Sequence, residues 1–340
     1  MRKIAFVLLA AVLFMHCNQP VPAPVSPESY FDLREGEIKS GGVKMIPVQT
    51  PAGTFKVWTK RFGNNPKIKV LLLHGGPAAT HEYMECFESF FPKEGFEFYQ
   101  YDQLGSCYSD QPADSSLWTL DRFVEEVEQV RKAIGAGKDN FYLLGNSWGG
   151  ILAMQYALKY QQHLKGLIVA NMMASCPEYG RYANEVLARQ MPPDVLAEIR
   201  ELEARKDFKN PRYTELLIPN FYAQHICRLP EWPEPVNRSF KHINESIYVM
   251  MQGPSEFGIS GRLASWDIKD RLKEISVPTL MIGAKYDTMD PKAMEEQSKL
   301  VQRGQYLYCP NGSHFAMWDD QQVFLNGVIR FIKNINSGAL

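Results

Sequence analysis

Ser147 stands in the run Gly145-Asn146-Ser147-Trp148-Gly149, with four strand-forming residues, Phe141 to Leu144, before it and a helix-forming stretch after it. Glycine, any residue, serine, any residue, glycine between a strand and a helix is the pattern that lifts a serine hydroxyl out of a sharp turn. Such a hydroxyl can attack a carbonyl carbon. The glycines on either side leave room for the neighbouring strand and helix. The helix that follows aims its positive end at the place where negative charge develops during acyl transfer.

A serine nucleophile needs a base to take its proton and a carboxylate to hold that base in one tautomer. The histidines downstream are His163, His225, His242 and His314. His163 falls in a helix-to-strand connection on the far side of the sheet, and His225 and His242 fall in a helical, strand-free stretch. His314 follows the last strand in the polar loop Asn311-Gly312-Ser313-His314, where a base belongs. The carboxylate should follow the preceding strand, and Asp287 ends Gly283-Ala284-Lys285-Tyr286-Asp287 there. Asp290 precedes Pro291 and reads as a helix cap. The developing oxyanion needs two backbone N–H donors. Trp148 supplies one, and Gly76, in the Gly75-Gly76 loop after the strand ending at His74, supplies the other. His74 precedes the serine and reads as a structural residue that holds this loop.

Other clusters carry less chemistry. His81-Glu82 has no second histidine at zinc-protease spacing. The six cysteines form no C-x-x-C pair, so spacing indicates neither a disulfide framework nor a zinc site. Cys86, Cys107, Cys176, Cys227 and Cys309 read as buried thiols. The mechanism outlined above calls for no cofactor. A net charge of −1 over 340 residues gives no indication of a nucleic-acid or anionic-membrane partner.

The elements that must position these residues alternate along the chain. Residues 36–61 read as two antiparallel strands turning at Pro51-Ala52-Gly53. Residues 67–74 form an apolar run expected of a strand buried on both faces, and further strands are expected at 96–102, 141–145 and 167–171. A helix over 116–134 has Thr119 or Asp121 as its cap, and its Glu125, Glu126 and Glu128 read as a solvated face. From 174 to 262 strand signals give way to helical, proline-punctuated stretches, too long for a loop. Strands resume at 278–282 and 305–309, and a helix over 322–335 closes the chain. The expected class is α/β: a mostly parallel sheet flanked by helices, formed by 36–173 and 263–340, with a helical cap over 174–262.

The start of the chain is of another kind. Arg2 and Lys3 precede an apolar run over 4–15, the pattern of a secretory signal ending near residue 17. Cys17 directly after the run suggests a bacterial lipoprotein site, although His16 is larger than the residue usual before such a cysteine. Residues 18–35, with prolines at 20, 22, 24 and 27, read as an extended tether. The expected location is the periplasm or cell envelope, with the membrane reached only through a lipid on Cys17.

With these residues in place, the chain resembles the proline iminopeptidases, including the tricorn-interacting aminopeptidases, a branch of the α/β-hydrolases. The resemblance rests on LLLHGGP at 71–77, YDQLGS at 101–106, GNSWGG at 145–150, MMQGPSEFGISG at 250–261, GAKYD at 283–287 and GSHFAMWDD at 312–320. It implies the α/β-hydrolase fold and a serine exopeptidase, with Ser147, Asp287 and His314 as the catalytic set, that removes N-terminal residues, often proline, from short peptides with a free amine. It also implies two cap glutamates that hold that amine, falling by pattern on Glu256 and Glu215. Two positions depart from the family: Ala78 replaces the final glycine of HGGPG, and Cys107 stands where DQ-x-G-S-G has glycine. The competing expectations are an esterase or amidase that needs no free amine, and a non-catalytic tethered binding protein.

Overall fold

The computed structural model describes Tyr30 and residues 42–340. The expected signal sequence, Cys17 and all of the expected tether but Tyr30 lie outside the described residues. Strands β1 (Val43–Thr50) and β2 (Gly53–Phe62) pair antiparallel across the turn at Pro51 and Ala52. There follow β3 (Lys69–Leu73), β4 (Glu97–Asp102), β5 (Phe141–Asn146), β6 (Gly166–Ala170), β7 (Thr279–Ala284) and β8 (Gly304–Cys309). Together they form one eight-stranded sheet in the order β1-β2-β4-β3-β5-β6-β7-β8. β2 runs antiparallel to β4, and all pairs from β4 to β8 are parallel.

Successive side chains of a strand point to opposite faces, so a strand covered on both sides must be apolar throughout. Leu71 and Leu73 of β3, Leu143 of β5 and Val169 of β6 join one core with the helices Leu120–Ala133 and Trp148–Tyr160. Val70, Leu72, Leu144 and Ile168 join the other, with the helix Gln321–Asn336 and the 3₁₀ stretch His81–Ser89. The chain leaves β3 toward β4 on one side and returns to β5 on the other. A crevice opens at such a reversal, at the carboxyl ends of the strands. Ser147 and the Gly75-Gly76 loop both stand there.

Between β6 and β7 the described residues contain helices and no named strand, including Cys176–Tyr182, Pro193–Ala204, Pro211–Leu217, Glu234–Lys241 and Glu245–Met251. Near the ends of this stretch Ser175 and Asp267 form an isolated antiparallel bridge. We call it the cap.

One expectation fails in the helix Leu120–Ala133. Thr119 caps it, accepting from the Arg122 amide, and Glu125 is on the surface with Lys159. Glu126 and Glu128, however, are buried. Glu126 pairs with Arg122 and accepts from the Tyr101 hydroxyl and the Leu104 amide at 2.9 Å. Glu128 pairs with Arg131 at 2.7 Å and accepts from Tyr156 at 2.8 Å. Buried charges are tolerated where they are paired and hydrogen-bonded in this way. These two glutamates tie the helix to the sheet and to its neighbour.

Candidate active site

The turn after β5 holds Ser147 at φ 56° and ψ −126°, a conformation non-glycine residues rarely adopt. Such strain persists where surrounding structure enforces it. Here a Cβ on Gly145 would lie 1.9 Å from the Gly149 carbonyl oxygen, and one on Gly149 would lie 2.1 Å from that of Leu73. The turn is therefore pressed against β3 and its own helix. Gly149→Ala is expected to destabilise the protein by about 3 kcal/mol or more, because β3 would have to move. A urea denaturation midpoint equal to that of the wild type would refute this.

His314 is 2 % exposed, and its Nδ1 lies 2.7 Å from Asp287 Oδ1. Its Nε2 is buried with no hydrogen-bond partner and belongs to the pocket that Ser147 also lines. With Nδ1–H donated to Asp287, Nε2 is left as the acceptor a serine proton requires. Asp287 is 1 % exposed. Its Oδ1 also accepts from the Met289 amide at 3.2 Å, and its Oδ2 accepts from Asn171 Nδ2 at 2.7 Å. Burial alone would push the His314 pKa down. The charge and hydrogen bond of Asp287, with Glu256 adding to them, outweigh burial and hold it above the ordinary value of 6.5. Asp290 does cap the next helix, accepting from the Lys292 amide.

The glycine loop offers its donors selectively. The Gly75 amide is taken by the Tyr83 hydroxyl at 2.6 Å, and that hydroxyl donates in turn to Asn146 Oδ1 at 2.9 Å. Gly76, at φ 108°, lines the pocket beside Ser147. Trp148 is the first residue of its helix, where an amide has no intrahelical acceptor. Its indole donates to Gln103 Oε1 at 2.8 Å, and Gln103 Nε2 donates to the His74 carbonyl at 3.0 Å. His74 Nε2 accepts from the Gln103 amide at 3.1 Å while Nδ1–H donates to the Gly75 carbonyl at 2.8 Å. Full burial lowers the His74 pKa to about 4, so it is neutral and structural. This network registers the nucleophile turn against the glycine loop. Ala78 does occupy a left-handed position, at φ 59°, so the alanine bears strain that glycine would not.

The cap closes the pocket. Ile226, Ser239, Phe240, Ile243, Tyr248 and Glu256 line it from above, and Phe315 lines it beside His314. The cap also holds the base loop: the His314 and Phe315 amides donate to the carbonyls of His225 and Ile226, both at 2.9 Å. Glu256 is held at three points. Tyr248 donates to its Oε1 at 2.5 Å, Tyr179 donates to its carbonyl at 2.6 Å, and its amide donates to the Tyr222 hydroxyl at 3.2 Å. Burial raises its pKa above the usual carboxylate value. A cation entering the pocket would reverse that shift and gain a charge-assisted hydrogen bond.

Glu215 is not brought to the site. The helix Pro211–Leu217 turns Tyr213, Leu216 and Leu217 inward, so Glu215 faces solvent, 64 % exposed and 3.8 Å from Arg212. It is Tyr213 that reaches inward, 3.1 Å from Ser255 Oγ beside Glu256. Sequence reading also missed Asn171, Tyr83 and Tyr248. Asn171 carries one local signal, a polar residue directly after a buried strand, and it sits at φ 54°. Cys107 is half-buried rather than buried, while Cys86, Cys176, Cys227 and Cys309 are buried free thiols.

Comparison with known proteins places this geometry among relatives. Residues 69–321 match the family described as the alpha/beta hydrolase fold. The proline iminopeptidase of Flavobacterium johnsoniae is 78% identical over 292 residues, 86% of this chain and 98% of that protein. That of Elizabethkingia meningoseptica is 76% identical over 295 residues, 86% and 99% of the two chains. Among solved structures, VinJ superposes with a TM-score of 0.80 at 29% identity, over 86% of this chain and 98% of that one. The proline iminopeptidase of Mycobacterium smegmatis gives 0.77 at 26%, over 88% and 100%.

Proposed function

Because the chain belongs to the α/β-hydrolase fold family and, within it, to the proline iminopeptidases, we propose that it is a serine aminopeptidase releasing N-terminal residues, proline above all, from short peptides. Ser147 Oγ attacks the first peptide carbonyl as His314 Nε2 takes its proton. The amides of Gly76 and Trp148 hold the oxyanion. His314 then gives the proton to the departing amine, leaving an acyl-enzyme on Ser147. Water, deprotonated by His314, releases the N-terminal residue and restores the serine. Asp287 keeps Nδ1–H pointed away from the serine, and Asn171 braces Asp287.

The observation that carries the peptide reading is Glu256. It lines the same pocket as Ser147, Gly76 and His314, with its backbone and one carboxylate oxygen fixed by three tyrosines. An esterase would gain nothing from a buried carboxylate there, which costs desolvation until an ammonium pairs with it. The test compares proline nitroanilide with its N-acetyl derivative. The free amine should be cleaved at least about 100-fold faster in kcat/KM, the value of a desolvated charge-assisted contact. Equal rates would favour the esterase or amidase reading.

We also propose that residues 1–17 direct export to the periplasm or cell envelope and that Cys17 carries a lipid. Metabolic labelling with palmitate should mark the wild type and not Cys17→Ser. Equal labelling of both would refute the lipid site, and retention of the unprocessed chain in the cytoplasm would refute export.

A further inference from the structure

Outside the pocket, three side chains of metal-ligating type converge where the cap meets the core. Glu82 lies in the first turn of the 3₁₀ stretch after β3, Cys107 lies in the loop after β4, and His242 follows the cap helix Glu234–Lys241. A carboxylate oxygen, the thiol sulfur and an imidazole nitrogen lie within 4.8 Å of one another. His242 Nδ1 is 2.9 Å from Glu82 Oε2. Glu82 is 1 % exposed, and Thr80 Oγ1 donates to its Oε2 at 2.9 Å. The surrounding backbone is pinned together: Asn244 Nδ2 donates to the Gly105 carbonyl at 3.1 Å, and the Asn244 amide donates to the Ala78 carbonyl at 2.9 Å.

Sulfur, imidazole and carboxylate are a donor set that suits zinc, cobalt and cadmium and not magnesium or calcium. Tetrahedral coordination at bond lengths of about 2.0–2.3 Å sets ligand atoms roughly 3.4–3.8 Å apart. The thiol, within 4.8 Å of the other two ligand atoms, would close by no more than about 1.4 Å, and the imidazole would open slightly from the carboxylate. Cys107 sits at φ 35°, a backbone position where glycine would be free of strain. That strain and a half-buried sulfur beside a histidine both need a reason.

We propose that Glu82, Cys107 and His242 bind one thiophilic divalent transition-metal ion that bridges the cap to the core. Solvent supplies the fourth position. Binding replaces the thiol proton, which is released to water, and the His242–Glu82 hydrogen bond. Because binding displaces the thiol proton, affinity rises with pH. Arg238 faces Glu82 at 3.5 Å, but its guanidinium is also held by Glu85 at 2.7 Å and Glu234 at 2.8 Å. The ion would restrain the segment after Phe240, which lines the pocket, without touching Ser147 or His314.

The test titrates chelator-treated, reduced full-length protein with Co²⁺, reading the thiolate-to-cobalt charge-transfer band, and then with Zn²⁺ against a chromophoric chelator. The wild type should bind one equivalent with the band present. Cys107→Gly should abolish the band, and Cys107→Gly and His242→Gln should each weaken Zn²⁺ binding at least about 10-fold. Saturating Zn²⁺ should raise the melting temperature of the wild type more than that of either variant. Absence of the band, or Zn²⁺ affinity unchanged in either variant, would overturn the proposal. Because the readouts are spectroscopic and thermal, they stand whether or not the protein cleaves peptides.

Discussion

Ser147→Ala is expected to lower kcat on proline nitroanilide by on the order of 10⁴–10⁶-fold while leaving the melting temperature within a few degrees of the wild type. The size follows from the site's design. The serine supplies the bond that divides the reaction into acylation and deacylation, and without it His314 is left with water, which forms no acyl-enzyme. What survives is the contribution of the Gly76 and Trp148 amides and of substrate binding, a modest acceleration over water. The fold should survive because alanine suffers the same φ of 56° as the serine it replaces, and the flanking glycines are untouched. A variant retaining a tenth or more of wild-type kcat would remove Ser147 from the mechanism.

Asp287→Ala should cost on the order of 10⁴-fold in kcat and should also change the pH profile. His314 Nδ1 loses its carboxylate at 2.7 Å, and the remaining acceptor is the Thr288 hydroxyl at 3.2 Å, which carries no charge. The imidazole can then take the wrong tautomer, and the imidazolium formed during acylation is no longer stabilised by the adjacent negative charge. The pH effect has a definite sign. His314 must be neutral to accept a proton, so activity falls as pH drops through its pKa. In the wild type Asp287 and Glu256 hold that pKa above 6.5 against the downward push of burial. The acid limb of kcat/KM should therefore lie above pH 6.5 and move to lower pH in Asp287→Ala, where burial acts with less opposition. An unshifted limb in the variant would mean that Asp287 does not face the base in the working enzyme.

The parts legible in the sequence were those set by short-range constraints. Gly145, Ser147 and Gly149 declare the turn because no other residue fits against the carbonyls of Gly149 and Leu73. Asp287 and His314 follow β7 and β8 in loops whose place at the sheet's carboxyl edge follows from strand alternation. Other residues depended on which way a helix faces, and there local reading failed. Glu126 and Glu128 look solvated until Tyr101, Arg122, Tyr156 and Arg131 are seen around them. Glu215 fits the amine-binding pattern but rotates outward because Tyr213, Leu216 and Leu217 claim the buried side of its short helix. Asn171 leaves only the local sign of a polar residue after a buried strand, and Tyr83 and the group of Glu82, Cys107 and His242 meet partners distant in the chain, which spacing does not reveal.

The proposed role of Glu256 is to join the serine chemistry to peptide specificity, and the decisive measurement is kcat/KM for proline nitroanilide and acetyl-proline nitroanilide with wild type and Glu256→Gln. The glutamine keeps the shape and the hydrogen bond from Tyr248 but removes the charge. It should lower kcat/KM for the free amine by about 100-fold and change that for the acetylated substrate by no more than about threefold, so the preference collapses. If both substrates lose activity equally, or neither does, Glu256 does not recognise the amine and the aminopeptidase account of this pocket fails.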